Sequence, residues 1–573
     1  MIDPWAPAIF VLALLVLPWT GARAWRWVGR GLRALAARPW LSLAAVAVLS
    51  LAVNAGVALQ RGWPQPAVAD EFSYLLAADT FAHFRLTNPP HPLWPHFESE
   101  EIIQQPTYQS KYPPGQGLAL AAGQFLGHPA LGVWLSLALA SAALCWMLRA
   151  WIGPRWALAS GLLAPLTYAV VSGWGQTYWG GAVALLGGAL LFGALRRLAR
   201  EPRPAHAALL ALGIAVLANS RPLEGMIATA LGLGIAAPWL LRSAKLAVLA
   251  RNVVLPMLLV LVPAAAAMAW YNHSVTGHAT TMPYDVWYRT YIGEKGVFQG
   301  FLAKETDPEP LRVIRGSHMT RAGETPRNPE RQAAKEKEMQ RRWVLVNAGF
   351  YLPGVFALAL LGLPWALKDR WVLLALACVV VLFVFIARGA TIGAPHYSAP
   401  VAPLIVALLL TGVRRIHVLR WRGHEPGRWI VRAMAVSLVL ASLVHLSGAA
   451  PGAGAAMQSR YTMYGDYRQQ ILGQVEARPG KHLVIVRYEP GWQASYEWVY
   501  NGADIDSGRV VWARELGPRR TAQLLEHYAD RTVWLLDSET LAWGPYPGPR
   551  PEDEAVTRRE EDELAAVIRE FGG

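Results

Sequence analysis

The chain has 573 residues, of which 54% are hydrophobic and only 16% are charged, and its formal net charge is +14. A soluble protein of this length would carry more charge, and one ordinary globular core would not accommodate the whole chain. The positive charge does not indicate a nucleic-acid binder, because the arginines cluster between apolar runs without the interleaved aromatic residues of a base-stacking surface.

Apolar runs that can cross about 30 Å of hydrocarbon occur about twelve times along the chain. We therefore expect a mainly α-helical, polytopic membrane protein. The first run is predicted to be an uncleaved span, because its positive charges follow the apolar stretch. Cys145 and Cys378 lie inside apolar runs, so neither a disulfide framework nor a cysteine-based metal site is expected. The runs lie near 5–20, 40–58, 130–149, 156–172, 179–195, 205–219, 222–241, 253–271, 347–366, 371–387, 396–413 and 429–448.

Every second connection between these runs is rich in basic residues. By the positive-inside rule these connections face the cytoplasm, so both termini are predicted to lie on the outer side of the membrane. The basic connections are 21–39, 196–204, 242–252 and 414–428.

Three longer segments remain on the predicted outer side: 59–129, 272–346 and the tail from 449 onward. The second contains the charged stretch EKEMQRR at 336–342 and is expected to begin with an ordered piece around PYDVWYRTY. In the tail, HLVIVRY, RVVWARE and TVWLLD are typical of strands, and 518–529 is typical of a helix. We therefore predict a membrane domain at 1–448 and a small outer α/β domain at 449–573.

The first candidate site is DEFSYLLAADTFAHF, residues 70–84, which is predicted to be a short helix. Ionisable residues beside a membrane are functional candidates. At 100° per residue Asp70 shares a helix face with Tyr74, whereas Glu71 lies a quarter-turn away, so one carboxylate is expected to act alone. The alternative is that Asp70 only caps the helix, where Asp is favoured.

The second candidate site is QSKYPPGQG, residues 109–117, in which the two prolines suit the start of a helix. Lys111 lies just before the following apolar stretch, 115–126, which is too short to span a membrane. A cation at this position can bind a phosphate. Equally, Lys111 can extend to lipid headgroups, which is the commoner fate of such a lysine.

Two further candidate sites interrupt later apolar runs. In NSRPLEG, residues 219–225, Arg221 and Glu224 are three positions apart and can pair with each other, or they can face a substrate cavity. In RGATIGAPHYSAP, residues 388–400, Arg388 opens the loop, and His396 and Tyr397 stand at the head of the next run. Neither site has metal-ligand spacing, and the chain contains no nucleotide-binding loop or hydrolase elbow. A divalent metal is therefore compatible with the chain but not indicated, and no other cofactor is expected.

The order of these motifs resembles the GT-C class of integral-membrane glycosyltransferases, above all the bacterial relatives of the lipid A aminoarabinose transferases and protein O-mannosyltransferases. DEFSYLLAADTF just outside an early span, and KYPPGQG about forty residues later, carry the resemblance across roughly 40–448. The chain departs from the usual pattern where Ser73 precedes Tyr74 and where Tyr112 separates Lys111 from the prolines.

The resemblance implies an inverting transferase in the plasma membrane of a cell envelope. It would move a sugar from a polyprenyl-phosphate donor to an extracytoplasmic lipid, glycan or protein, and Asp70 would be the general base. Glu71 would be the lesser catalytic candidate, and the HYSAP stretch would correspond loosely to a later substrate loop. The implied phosphate-binding residues are Lys111, Arg221, Arg388 and His396, and the implied cavity residues are Tyr74, Tyr112, Glu224 and Tyr397.

Two other functions remain open from the sequence. A multi-pass transporter or lipid flippase fits the number of spans equally well, although no inverted repeat is visible and the charged motifs lie on the predicted outer side. A membrane anchor that presents the tail to a partner would not need a polar, proline-rich first outer segment. The sugar, the acceptor, the oligomeric state and the role of the tail are not determined by the sequence.

Overall fold

A computed structural model describes residues 5–17, 22–171, 173–291, 337, 341, 350, 354–389, 395–447, 453–488 and 497–549. The chain forms two compact units, each assembled from three separate stretches. Most of the second predicted outer segment, including most of the EKEMQRR stretch, lies outside the described residues, as does the beginning of the apolar run 347–366. Unit 1 comprises Met1–Pro64, Phe125–Ala267 and Asn328–Ser459, and unit 2 comprises Gln65–Gln124, Met268–Arg327 and Arg460–Gly573.

Helices dominate the described chain. In chain order they are α1 Trp5–Val16, α2 Ala22–Ala36, α3 Pro39–Arg61, α4 Ala69–Ala82, α5 Pro114–Phe125, α6 Pro129–Trp151, α7 Pro154–Pro165, α8 Gly181–Leu198, α9 Pro204–Ala218, α10 Pro222–Leu241, α11 Leu246–Leu249, α12 Leu255–Thr276, α13 Pro283–Tyr291, α14 Arg370–Gly389, α15 Ala402–His417, α16 Pro426–Leu446, α17 Ala453–Glu476 and α18 Gly517–His527. The strands are β1 Ile102–Ile103, β2 Gln109–Ser110, β3 His482–Arg487, β4 Val510–Arg514, β5 Thr532–Asp537 and β6 Trp543–Pro545.

Eight described helical stretches are long and apolar enough to cross a membrane. Two of them join shorter pieces: Leu246–Thr276 contains α11, a π-helical turn and α12, and Pro395–His417 contains a 3-10 segment and α15. The predicted run near 5–20 coincides with α1, which is shorter than a full span. The run near 156–172 coincides with α7 and the π-helical segment Leu166–Val171 that continues it. The prediction of a polytopic, mainly helical membrane protein is confirmed.

Close helix packing in unit 1 depends on small residues. A Cβ atom added at Gly213 on α9 would lie 2.7 Å from the backbone nitrogen of Leu191 on α8, and one at Gly188 would lie 2.0 Å from the carbonyl oxygen of Pro400. Such short separations are tolerated only by glycine, and small residues at helix interfaces are typical of membrane bundles. Glycine at these positions therefore allows the backbones to approach each other.

The basic stretch 21–39 is not only a connection, because most of it forms helix α2. Arg26, Arg30 and Arg33 are exposed along one face of α2, whereas Leu32 and Leu35 pack against the hydrophobic core of unit 1. This separation of charged and apolar faces is characteristic of an amphipathic helix at a membrane surface.

The C-terminal part of unit 2 contains a four-stranded sheet with the strand order β4-β3-β5-β6. Strands β4 and β5 pair in parallel with β3, and β6 pairs antiparallel with β5. Helix α18 lies between β4 and β5 in the chain, as a parallel crossover requires. The predicted strands and helix of a small α/β fold are therefore confirmed, and β6 is an additional strand.

The first outer stretch of the chain shares a hydrophobic core with this sheet inside unit 2. Leu76 on α4 and Ile102 on β1 are buried together with Leu483 and Ile485 on β3. Further members of the same core are Phe97, Tyr108, Ala503, Ile505, Val511, Ala513, Leu524 and Tyr528. The predicted division at residue 449 stays a prediction, since unit 2 combines this tail with two earlier stretches.

Candidate functional site

The start of helix α4 separates the two adjacent carboxylates. Glu71 is buried, and its Oε2 accepts a hydrogen bond of 2.9 Å from the backbone N–H of Ala67. The N-cap residue, Val68, has no side chain that could cap the helix. Glu71 is the third residue of α4, where a Glu that reaches back to the chain before the helix stabilises the helix start. The side chain that accepts a backbone N–H at the start of this helix is therefore that of Glu71 and not that of Asp70.

Asp70 is half-buried and binds a tyrosine from the second predicted site. The hydroxyl of Tyr112 donates to Oδ1 of Asp70 and also lies 3.1 Å from Oε2 of Glu101. The Tyr112 ring is stacked on Tyr74, with 4.5 Å between the ring centroids. One hydroxyl thus holds Asp70 beside a second carboxylate, and a stacked ring fixes the direction of that hydroxyl.

The β1–β2 hairpin brings Glu101 and Lys111 together. Ile102 pairs with Ser110, so Glu101 and Lys111 occupy the next opposite positions beyond the strands. The backbone N–H of Lys111 donates to the carbonyl of Glu101 at 3.3 Å, and the ammonium of Lys111 forms an ion pair with Oε2 of Glu101. Directly opposite residues of opposite charge stabilise an antiparallel pair. The hairpin register therefore determines the partner of Lys111.

Aromatic rings surround the remaining sides of Lys111, whose exposed fraction is only 2%. Its Nζ lies 3.3 Å from the ring centroid of Trp287 and 4.6 Å from that of Tyr284, both on α13. It also lies 5.2 Å from the ring centroid of Tyr112. A desolvated ammonium is attracted to the faces of such rings. The charged form of Lys111 is thus stabilised by one carboxylate and three aromatic rings.

The buried acids of this cluster hold protons more tightly than exposed acids. Burial raises the pKa of Glu101, although the adjacent ammonium of Lys111 opposes the shift. The pKa of Glu100 is raised well above its usual value, first by burial and then by the charge of Glu101. Burial and the two neighbouring carboxylates also raise the pKa of Tyr112, so its hydroxyl stays protonated and remains a donor.

The other predicted site residues belong to unit 1. The guanidinium of Arg221 lies 4.7 Å from the ring centroid of Tyr397, and the ring of Tyr397 lies 4.6 Å from that of His396. His396 is buried and also contacts Trp179, with 4.9 Å between ring centroids. The last two predicted sites therefore meet in the fold, with Glu224 in the first turn of the helix that Arg221 precedes. The side chain of Arg388 lies outside the described residues.

Among the described residues, one group of His and acidic side chains is spaced as metal ligands could be: His91, Asp506 and His527. Nε2 of His91 lies 3.1 Å, and that of His527 3.5 Å, from Oδ1 of Asp506. However, Nδ1 of His91 accepts the N–H of Leu93 at 2.9 Å, so the neutral ring carries its proton on Nε2 and donates it to Asp506. A metal at Nε2 would require the proton to move to Nδ1 and the Leu93 contact to break.

Sequence reasoning did not identify Glu101, Tyr284 or Trp287 as site residues. Glu101 was visible only as one acid among several in the first outer segment, and the two aromatic residues only as part of an ordered PYDVWYRTY piece. The one available signal was composition, because an acidic segment that contains a single lysine before Pro-Pro favours an ion pair. Which acid provides it depends on the hairpin register.

Comparison with solved structures identifies similar folds. ArnT from Cupriavidus metallidurans, in a crystal structure bound to undecaprenyl phosphate, has a TM-score of 0.51 at 13% identity, covering 87% of this chain and 92% of that chain. The apo Archaeoglobus fulgidus oligosaccharyltransferase has a TM-score of 0.41 at 12% identity, covering 87% of this chain and 69% of that chain. AglB from the same organism, in complex with an inhibitory peptide and a dolichol-phosphate, has a TM-score of 0.40 at 11% identity, covering 89% and 75%.

No protein-family model and no curated protein sequence matches the chain. The similarity to ArnT, a lipid A aminoarabinose transferase, extends over almost the whole of both chains. At the level of the fold it confirms the resemblance predicted from DEFSYLLAADTF and KYPPGQG. This chain has the fold of an ArnT-like polytopic membrane protein.

Proposed function

We propose that this protein is an inverting glycosyltransferase that moves a sugar from a polyprenyl-phosphate donor to an acceptor outside the cytoplasm. The observation that supports it is the cluster of Asp70, Tyr112, Glu101 and Lys111, which places a half-buried carboxylate and a buried cation in one unit of an ArnT-like fold. ArnT itself was crystallised with undecaprenyl phosphate. A lipid phosphate of that class suits a cation such as Lys111.

In the proposed reaction Asp70 is the general base. Its carboxylate accepts the proton of an acceptor hydroxyl or amine while the acceptor oxygen or nitrogen attacks the anomeric carbon of the sugar. The bond from that carbon to the phosphate oxygen breaks, and the configuration at the carbon inverts. The hydroxyl of Tyr112 holds one oxygen of Asp70, which leaves the other oxygen to face the acceptor. Tyr112 is thus a positioning residue for the base.

The leaving group is a polyprenyl phosphate, whose developing charge requires electrostatic stabilisation. Lys111 is the first candidate for this role in unit 2. Arg221, His396 and Arg388 lie in unit 1 and stay sequence-based candidates for phosphate binding. Tyr397 contacts both Arg221 and His396. Tyr74 and Tyr112 are proposed to contact the substrate in unit 2, and Glu224 and Tyr397 stay sequence-based candidates for substrate contacts in unit 1. This chemistry requires no nucleotide, and a divalent metal is compatible with it.

The proposed location is the plasma membrane, the inner membrane of a bacterial envelope, with the site and both termini on the extracytoplasmic side. The basic connections that include α2 support this orientation, because positive charge is retained in the cytoplasm. The acceptor is a lipid, a glycan or a protein. Comparing the glycolipids and glycoproteins of cells with and without the gene would identify which of these classes is modified.

The direct test is the release of polyprenyl phosphate from a labelled lipid-linked sugar by the purified protein, which a transporter or flippase would not catalyse. The change Asp70→Asn removes the base and should lower turnover by about 10²- to 10⁴-fold. Asp466→Asn is a matched control, since Asp466 is an exposed acid of the same unit. Wild-type turnover by the Asp70→Asn protein would refute the assignment of the base.

A further inference from the structure

The cation proposed to bind the donor phosphate already has an internal anionic partner. The ammonium of Lys111 is paired with Glu101 and buried among the rings of Trp287, Tyr284 and Tyr112. An ammonium in an ion pair can approach a phosphate only by leaving its carboxylate or by sharing itself between two anions. The carboxylate of Glu101 therefore competes with a phosphate oxygen for the ammonium of Lys111.

We propose that Glu101 is a positioning residue that holds Lys111 in the resting protein and is displaced by the phosphate of the lipid donor. This inference rests on the proposed function, because it assigns Lys111 to the donor phosphate. Glu101 then has two tasks: it fixes the position of the lysine while the site is empty, and it competes with weakly bound anions. An anionic ligand pairs with Lys111 only if its interaction with the ammonium is stronger than that of Glu101.

The charges around Glu101 determine what happens to it after displacement. From α4 it faces Asp70; from the segment after β2 it faces Lys111 and Tyr112; and Glu100 precedes it in the chain. Lys111 is the only cation in this described set. Once the phosphate has paired with Lys111, the carboxylate of Glu101 lies near two other acids in a site with little water. Both conditions favour its protonated form. Its side chain is 12% exposed, so the proton can come from solvent.

The aromatic surroundings of Lys111 do not depend on which anion pairs with it. Its Nζ lies 3.3 Å from the ring centroid of Trp287, and the indole N–H of Trp287 is fixed on the carbonyl of Glu100. This ring remains beside the ammonium whichever anion pairs with it, so a neutral side chain at position 101 leaves Lys111 with an aromatic partner. Donor binding is thereby coupled to the uptake of a proton by Glu101.

The test is equilibrium binding of undecaprenyl phosphate to the purified, detergent-solubilised full chain, measured by native mass spectrometry at pH 6 and pH 8. Glu101→Gln should bind about tenfold more tightly than the wild type at pH 8, because the competing charge is gone while an acceptor oxygen remains. The wild type should approach Glu101→Gln as the pH falls. The titration of the lipid phosphate itself cancels in the comparison of the two proteins at each pH.

Two further variants separate this inference from the proposed function. Glu101→Asp keeps the charge and should restore the pH-dependent difference from Glu101→Gln, and Asp466→Asn, at an exposed acid of the same unit, is a control that should leave the affinity unchanged. Affinity of Glu101→Gln equal to or below the wild type, while Lys111→Gln loses binding, would overturn the inference but leave the donor site in place. Unchanged binding by Lys111→Gln, or no binding by the wild type, would overturn both.

Discussion

Replacing Glu71 distinguishes a structural acid from a catalytic one at the start of α4. In Glu71→Ala the backbone N–H of Ala67 loses its acceptor, and Ala67 is only 6% exposed. A buried unsatisfied N–H costs about 1–3 kcal/mol, and removing a negative charge from a helix N-terminus costs about 0.3–1 kcal/mol. We therefore expect unit 2 to lose about 2–3 kcal/mol, which corresponds to a fall in Tm of about 5–10 °C for a unit of this size.

The matched variant Glu71→Gln keeps an oxygen in the same place and should cost less than about 1 kcal/mol, since only the charge is lost. Thermal unfolding in detergent measures both changes. Release of polyprenyl phosphate per folded molecule should stay close to the wild type in Glu71→Gln, in contrast to Asp70→Asn. A Glu71→Gln protein that melts like the wild type but has lost turnover would show that Glu71 takes part in catalysis, and the structural assignment would be refuted.

Two further predictions concern packing and pH. A Cβ at Gly117 would lie 2.6 Å from Cβ of Ala77 and 2.9 Å from Cε2 of Phe81. Gly117→Ala should therefore destabilise the protein by about 1–3 kcal/mol. Gly473→Ala is the control and should not lower the Tm, because no atom lies within 4 Å of the added Cβ. The pKa of Glu100 is raised in the folded state, so the folded protein keeps a proton that the unfolded chain releases above the usual pKa of 4.5. The free energy of unfolding therefore falls as the pH rises above 4.5. Glu100→Gln should therefore flatten the pH dependence of the Tm between pH 5 and 8 and raise the Tm at pH 8; identical slopes for the two proteins would contradict the assignment.

The parts of the fold that depend on local composition followed from the sequence. Apolar runs predict the membrane helices because each run carries the information for its own span. HLVIVRY, RVVWARE and TVWLLD predict β3, β4 and β5 because β-branched and apolar residues are dense in short stretches bounded by polar ones. Helix α2 was not predicted, although its arginines recur every three or four residues, which is itself a helical pattern.

The candidate site could be predicted only in part, because its contacts join separate pieces of chain. The phase of a helix separates Asp70 from Glu71 and is readable from the sequence. The sequence predicted a phosphate or a lipid headgroup as the partner of Lys111. It did not predict the pairing with Glu101, since that pairing depends on a hairpin register. The position of Trp287 depends on how α13 packs, and no local pattern encodes that packing.

The shared core of unit 2 determines the order in which its parts can fold during biosynthesis. Leu76 and Ile102 are made early, but Leu483 and Val511, against which they are buried, are made some four hundred residues later. At about 5–20 residues per second, roughly 20–80 s separate the two events. Throughout that interval the apolar face of the Asp70 segment lacks its later partners from the sheet; in the proposed orientation this segment lies outside the cytoplasm, where a chaperone or the lipid surface would cover it. The part of the site that is synthesised first therefore completes its packing only after the strands of the C-terminal sheet have been synthesised.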